Sequence, residues 1–250
     1  MNILILFDDT KKFCMLISSV VMPLRRRFPN TSIEVSSGSD YCRKFLSHIP
    51  GITSVADNAY LKSYDKIYCF DDRVSHLIEY NTIECEKYIG YKFGDGAISF
   101  TCDDVKDFFS YYCLRDKCDT NILDSFFKIF GLKWNNEGFN IRYSPRSKSV
   151  DGRNGIAIAN SNLRSFVKQN LFDKGEKLWH IPLRQDPLKC IDEVNRCSNI
   201  VTDSILYAFI GSFLRKKIIF LVEDDCSFSP DIFNDIFIQP VSTRVLYAQD

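Results

Sequence analysis

The chain has 250 residues, 45% apolar and 26% charged, with 32 basic side chains balancing 32 acidic ones. That composition excludes a disordered chain and allows one large or two small domains, each with a core of its own. Zero net charge gives no general pull toward nucleic acid or an anionic membrane, so the expected partners are small molecules or proteins.

Residues 2–7 are a continuous apolar run, as expected for a parallel strand buried on both faces. Asp8-Asp9-Thr10 supply a turn and a helix cap, and Lys11 to Phe28 carry helical periodicity with Pro23 inside. Ser32 to Val35 predict a second strand, Asp40 to His48 a helix stopped by Pro50-Gly51, and Ile52 to Ala56 a short extended piece. Tyr64 to Phe70 predict another buried strand closed by Asp71-Asp72, and Val74 to Tyr88 a helix. Val105 to Cys113 and Ile122 to Phe130 have helical spacing, with Gly131 stopping the second. A polar stretch, 136–153, reads as a linker between a first domain over 1–135 and a second over 154–250. The second begins with a strand at Gly155 to Ala159, continues through a helix near Pro187 to Cys197, and reaches Ser198 to Ser204. There a strand, an Asp-Ser turn, a helix and the strand Lys217 to Leu221 follow one another, with a last strand at Arg244 to Tyr247. Strands alternating with helices predict an α/β fold of two Rossmann-like lobes, the second reduced.

Cys14, Cys69, Cys190 and Cys197 fall in apolar periodic segments, where a free thiol acts as a small hydrophobe, and no Cys-x-x-Cys pair occurs. The apolar start is too short for a signal peptide and no run is long enough to span a membrane. The expectation is a cytoplasmic protein that is not integral to a membrane.

Ligands of open α/β sheets sit outside the carboxyl ends of strands, where the next helix begins. Asp203 and Ser204 stand there, as do Asp8 and Asp9. A carboxylate of the latter pair suits a base that takes a proton from a hydroxyl, a ligand of a divalent metal, or a helix cap. Asp71-Asp72-Arg73 close a further strand at the same edge. Asn160 and Ser161, with Arg164 and Lys168 nearby, suit a diphosphate or a plain solvated loop. Trp179, His180 and Arg184 bring an aromatic face, an imidazole and a guanidinium into one stretch. Arg25-Arg26-Arg27 either steer an anion or form a solvated helix end.

The order of Ile3-Leu4-Ile5-Leu6, Met22-Pro23-Leu24-Arg25-Arg26-Arg27-Phe28-Pro29 and Ser32-Ile33-Glu34-Val35 continues with His48-Ile49-Pro50-Gly51-Ile52 and Tyr64-Asp65-Lys66-Ile67-Tyr68. Lys87-Tyr88-Ile89-Gly90-Tyr91, Phe126-Phe127-Lys128-Ile129-Phe130-Gly131-Leu132 and Ile200-Val201-Thr202-Asp203-Ser204 complete it. This succession resembles the heptosyltransferases, GT-B glycosyltransferases of family 9. The resemblance implies a two-lobed enzyme that moves a sugar from a nucleotide-diphosphate sugar to a saccharide or other hydroxyl acceptor. The first lobe would hold the acceptor and the second the donor. In that reading Asp9, with Asp8, is the base, and Asn160, Ser161, Arg164, Lys168, His180, Arg184, Asp203 and Ser204 contact the donor. No cofactor beyond the sugar nucleotide is required, a divalent metal being possible. The family's Gly-Asp pair at the start of the first helix is absent, and its Asp-Ser-Gly then His pattern becomes Asp203-Ser204-Ile205-Leu206. A catalytically inactive binding or assembly module, and a transferase of another group, are the alternatives.

Overall fold

The structure is a computed structural model describing residues 1–56, 63–110, 122–135, 137–158, 164, 167, 176–182, 186–223 and 244–248. They fall into two compact units, Met1–Leu114 with Ile122–Arg142, and Tyr143 onward.

In the first unit, strands β1 (Asn2–Phe7), β2 (Ser32–Ser36), β3 (Ser54–Ala56), β4 (Tyr64–Phe70), β5 (Cys85–Gly94) and β6 (Ala97–Phe100) form one sheet in the order β3-β2-β1-β4-β5-β6. All neighbours are parallel except β5 and β6. Helices α1 (Lys11–Arg27), α2 (Asp40–Leu46), α3 (Val74–Tyr80), α4 (Asp103–Phe109) and α5 (Ile122–Ile129) connect or cover the strands. β1 is central, which is why Ile3 to Phe7 are all apolar and buried. Phe13 of α1 sits at the middle of an aromatic core, its ring centroid 5.5 Å from Phe7, 5.0 Å from Phe70 and 5.5 Å from Phe126. Such ring pairs contribute roughly 0.5–1.5 kcal/mol beyond their buried area.

The stretch Val74 to Tyr88, expected as one helix, is divided. Asn81 caps α3 by donating its backbone N–H to the Leu77 and Glu79 carbonyls, while its side-chain amide donates to Phe93 O at 2.8 Å. Beyond the turn, β5 pairs with β4 and takes its backbone partners from that ladder. At Gly90 the strand changes partner from β4 to β6. Gly90 has φ +139°, its N–H donates to Thr101 Oγ1 at 2.8 Å, and its carbonyl accepts the Thr101 N–H at 3.2 Å.

In the second unit, β7 (Asn154–Ala157), β8 (Leu178–His180), β9 (Asn199–Thr202), β10 (Lys217–Glu223) and β11 (Arg244–Ala248) form a parallel sheet in the order β11-β10-β9-β7-β8. Helices α6 (Pro187–Asn195) and α7 (Ile205–Phe213) connect its strands. Ile156, Ile158, Val167, Val201 and Leu221 make its core. The fold is therefore α/β with two Rossmann-like lobes. In each, the chain builds outward from its first strand to one side, then returns to the other side of that strand. The reversals fall between β1 and β4 and between β7 and β9.

The polar stretch joining the lobes is pinned along its length. Asn140 N–H donates to Ser18 O at 3.2 Å and Arg142 N–H to His48 O at 2.7 Å, both within the first unit. From Tyr143 on the partners are in the second: the Tyr143 hydroxyl donates to Asp192 Oδ2 at 2.9 Å and the Arg146 N–H to Asp192 Oδ1 at 2.8 Å.

Among the described residues Cys14, Cys42, Cys69, Cys190 and Cys197 are buried free thiols. No helix among them is long and apolar enough to cross a membrane.

Candidate active site

The carboxyl ends of β2, β1 and β4 converge at the first reversal point. Asp9 has φ +57°, a left-handed conformation that Asp adopts more readily than most residues and that clusters at functional turns. Asp9 Oδ1 accepts a short hydrogen bond from the Ser37 hydroxyl, and its Oδ2 accepts from Arg73 Nη2 at 3.1 Å. Its backbone carbonyl accepts the Cys42 thiol at 3.1 Å. Two segments distant in sequence, at Ser37 and Arg73, thus fix the carboxylate, while Cys42 holds its backbone. Ser37 is itself held: its carbonyl accepts from Arg43 Nη1 at 2.9 Å.

Arg73 is fixed by Asp71, whose side chain is fully buried. Asp71 Oδ1 accepts from the Arg73 N–H at 3.0 Å and Nε–H at 2.8 Å, and Oδ2 from Nη2 at 2.5 Å. His76 Nδ1 lies 2.9 Å from Asp71 Oδ2 and donates to it. A buried carboxylate is tolerated only with such a set of charged and hydrogen-bonding partners. These hydrogen bonds raise the Arg73 guanidinium above its ordinary pKa. Asp8 faces away from the cluster, its Oδ1 accepting from the Thr10 N–H at 3.2 Å and hydroxyl at 2.8 Å. Burial raises its pKa, with the Thr10 hydrogen bonds opposing.

At the second reversal point, Thr202 is buried and organises the turn. Its hydroxyl donates to Ala157 O at 2.6 Å and accepts the Ser204 N–H at 3.0 Å. Ser204 is the N-cap of α7 by position, without a side-chain capping bond, and Asp203 is partly exposed beside it. Arg164 Nη2 donates to Ile158 O at 2.7 Å, so its guanidinium stands at the carboxyl end of β7, next to that turn. His180 is exposed at the end of β8.

The sheets thus bring Asp9 to one strand edge, and Arg164, Asp203, Ser204 and His180 to the other lobe's corresponding edge. Asn160, Ser161, Lys168 and Arg184 lie outside the described residues. The Trp179 ring carries the Arg153 and Arg196 guanidinium groups, 5.1 and 5.7 Å from its centroid. Arg25, Arg26 and Arg27 are engaged with Gly51 and Thr53, Glu137 and Gly131 respectively. They staple loops rather than face a ligand. No group of three His, Cys, Asp or Glu suited to a metal ion occurs among the described residues.

Ser37, His76 and Thr202 are site residues that the sequence reading missed. Ser37 carried a usable signal, since it immediately follows a parallel strand, as Asp8 and Asp71 do. His76 carried none.

No protein-family model and no curated protein sequence matches the chain. Solved structures do match. A glycosyl transferase of family 9 from Veillonella parvula has a TM-score of 0.63 at 10% identity, covering 100% of this chain and 87% of its own. E. coli ADP-heptose lps heptosyltransferase II gives 0.60 at 11% identity, over 98% of this chain and 90% of its own. E. coli heptosyltransferase WaaC with ADP gives 0.54 at 9% identity, over 100% and 94%. At such identities the likeness establishes a shared two-lobed fold.

Proposed function

We propose that the chain is a GT-B-type glycosyltransferase moving a sugar from a nucleotide-diphosphate donor to a hydroxyl acceptor. The observation that carries it is the carboxylate of Asp9, fixed by Ser37 and Arg73 at a sheet reversal point, in a chain that shares its fold over its full length with a family 9 glycosyltransferase. A solved neighbour bound to ADP-2-deoxy-2-fluoro heptose supports a sugar nucleotide as donor.

Asp9 takes the acceptor's hydroxyl proton as the oxygen bonds to the anomeric carbon. The anomeric C–O bond to the diphosphate breaks, and its electron pair leaves with the diphosphate. Arg164 stabilises that departing charge, with the N-terminal end of α7. Asn160, Ser161, Lys168 and Arg184 are assigned to the same diphosphate. Asp203 repels phosphate and suits the hydroxyls of ribose or sugar, and His180 the donor's outer face. Asp8 orders the Asp9 turn through Thr10. The chemistry is compatible with the cytosolic pool of sugar nucleotides.

One observation favours a second reading, an inactive binding module: both Asp9 oxygens already accept hydrogen bonds, so fewer lone pairs are left to take an incoming proton. Calorimetry with ADP-, UDP- and GDP-sugars, followed by mass analysis of products, separates the two. Binding with slow donor hydrolysis or transfer supports the enzyme. Binding without turnover, or no binding to any of them, removes the enzyme and supports a binding or assembly module.

A further inference from the structure

Arg73 is clamped along one edge only. Its Nε and Nη2 are taken up by Asp71 and Asp9, and Nη2 also lies 3.4 Å from Phe7 O. Its Nη1 has no hydrogen-bond partner among the described residues, and the side chain is 37% exposed. A guanidinium held in one orientation by a buried carboxylate presents its remaining N–H donors at a fixed place beside the Asp9 carboxylate. Gly38 lies beside the same carboxylate, where a Cβ would stand 3.4 Å from Asp9 Oδ2, so a small residue there leaves room next to that oxygen.

A donor edge next to a carboxylate acceptor complements one group above all, a hydroxyl, whose oxygen accepts while its hydrogen donates. The same pair is a poor site for an anion. The positive charge of Arg73 is already shared between two carboxylates, and Asp8 and Asp72 add negative charge at the same strand ends, against Lys11 and Lys12 of α1. Asp40 and Arg43 of α2 pair with each other, and His76 of α3 donates to Asp71. Arg25, Arg26 and Arg27 are spent elsewhere, as described above.

We propose that Arg73 and Asp9 together form the acceptor subsite and that the acceptor is uncharged at its reacting end, a neutral saccharide or polyol whose hydroxyl bridges Arg73 Nη1 and Asp9. The proposal deepens the glycosyltransferase reading and rests on it for the word acceptor. The Nε–H of Arg73, sheltered by Asp71, supplies a site-specific signal in proton–nitrogen correlation spectra. Full-length protein, with and without ADP and UDP, is titrated with methyl glucoside, methyl galactoside and methyl mannoside, then with glucuronic acid and glucose 6-phosphate. The expected result is a saturable shift of the Arg73 signal by at least one neutral glycoside, with the acids binding about tenfold or more weakly, as a lost charge-assisted hydrogen bond and added repulsion require. Arg73→Lys, which keeps a cation for Asp71, weakens the neutral glycoside about tenfold, and Asp9→Asn does so while leaving the fold intact. Stronger binding of the acids, or no shift with any neutral glycoside in either condition, overturns the proposal. Glycoside binding at Arg73 without any sugar-nucleotide turnover would sink the enzyme reading alone. Turnover onto anionic acceptors only would sink the subsite proposal and leave the enzyme standing.

Discussion

A Cβ placed on Gly90 would stand 2.0 Å from the carbonyl oxygen of Cys69, the residue opposite it on β4. That oxygen is backbone in a central strand and cannot give way. Gly90→Ala therefore costs about 3 kcal/mol or more, combining the steric overlap with strain at φ +139°. Urea unfolding followed by circular dichroism measures it, and a loss below about 1 kcal/mol would show that β5 can shift.

Asp9→Asn keeps the size and a carbonyl oxygen able to accept from Ser37, but removes the proton acceptor. Turnover falls by about 100-fold or more, the usual contribution of a general base, while donor affinity measured by calorimetry stays within about twofold. Unchanged turnover would mean that another group takes the proton.

Thr202→Val removes the hydroxyl that joins β7 to the turn before α7. Ala157 O and the Ser204 N–H lose a partner in a buried place, at roughly 1–3 kcal/mol. A melting curve reads the loss of stability, and donor titration reads the accompanying disorder at the start of α7. If the stability falls but donor affinity is kept, this turn does not carry the diphosphate.

Burial pushes the Cys69 thiol up to about 12, the Cys197 thiol to about 11 and the Tyr68 hydroxyl to about 12. In the unfolded chain thiols ionise near the ordinary value of 9.0 and the phenol near 10.0. The folded state therefore holds more protons above those values. The corresponding stability is complete below about pH 9 and is lost as pH rises toward 11 and 12. Denaturant midpoints should hold between pH 8 and 9 and decline from pH 9 to 11, and Cys197→Ala should flatten part of the decline. Thiol labelling of the native protein at pH 8 should modify the exposed Cys102 well before any buried cysteine.

Much of the architecture was legible because buried parallel strands carry continuous apolar runs, as Ile3 to Phe7, Ile67 to Phe70 and Ile218 to Leu221 do. The turn at Asp203-Ser204 was legible for the same reason, since a polar pair interrupts two apolar segments. β5 was misread because Val74 to Tyr88 has no strong breaker: the helix ends on Asn81, whose amide reaches Phe93 only after the chain has folded back. β8, with its three residues, is too short to show a period. The site was half legible. Asp9 and Arg73 stood out as polar residues after strands. Their pairing with each other and with Ser37 comes from the spatial order β2-β1-β4, which no local pattern encodes.

Strand β1 runs from the Asp65 end of the sheet, where the Met1 ammonium lies 3.9 Å from that carboxylate, toward Asp9. At about 3.3 Å per residue its two ends are about 20 Å apart. A purification handle or surface anchor attached ahead of Met1 accordingly leaves by the rim opposite Asp9, and the first lobe can be tethered there with the Asp9 edge facing outward.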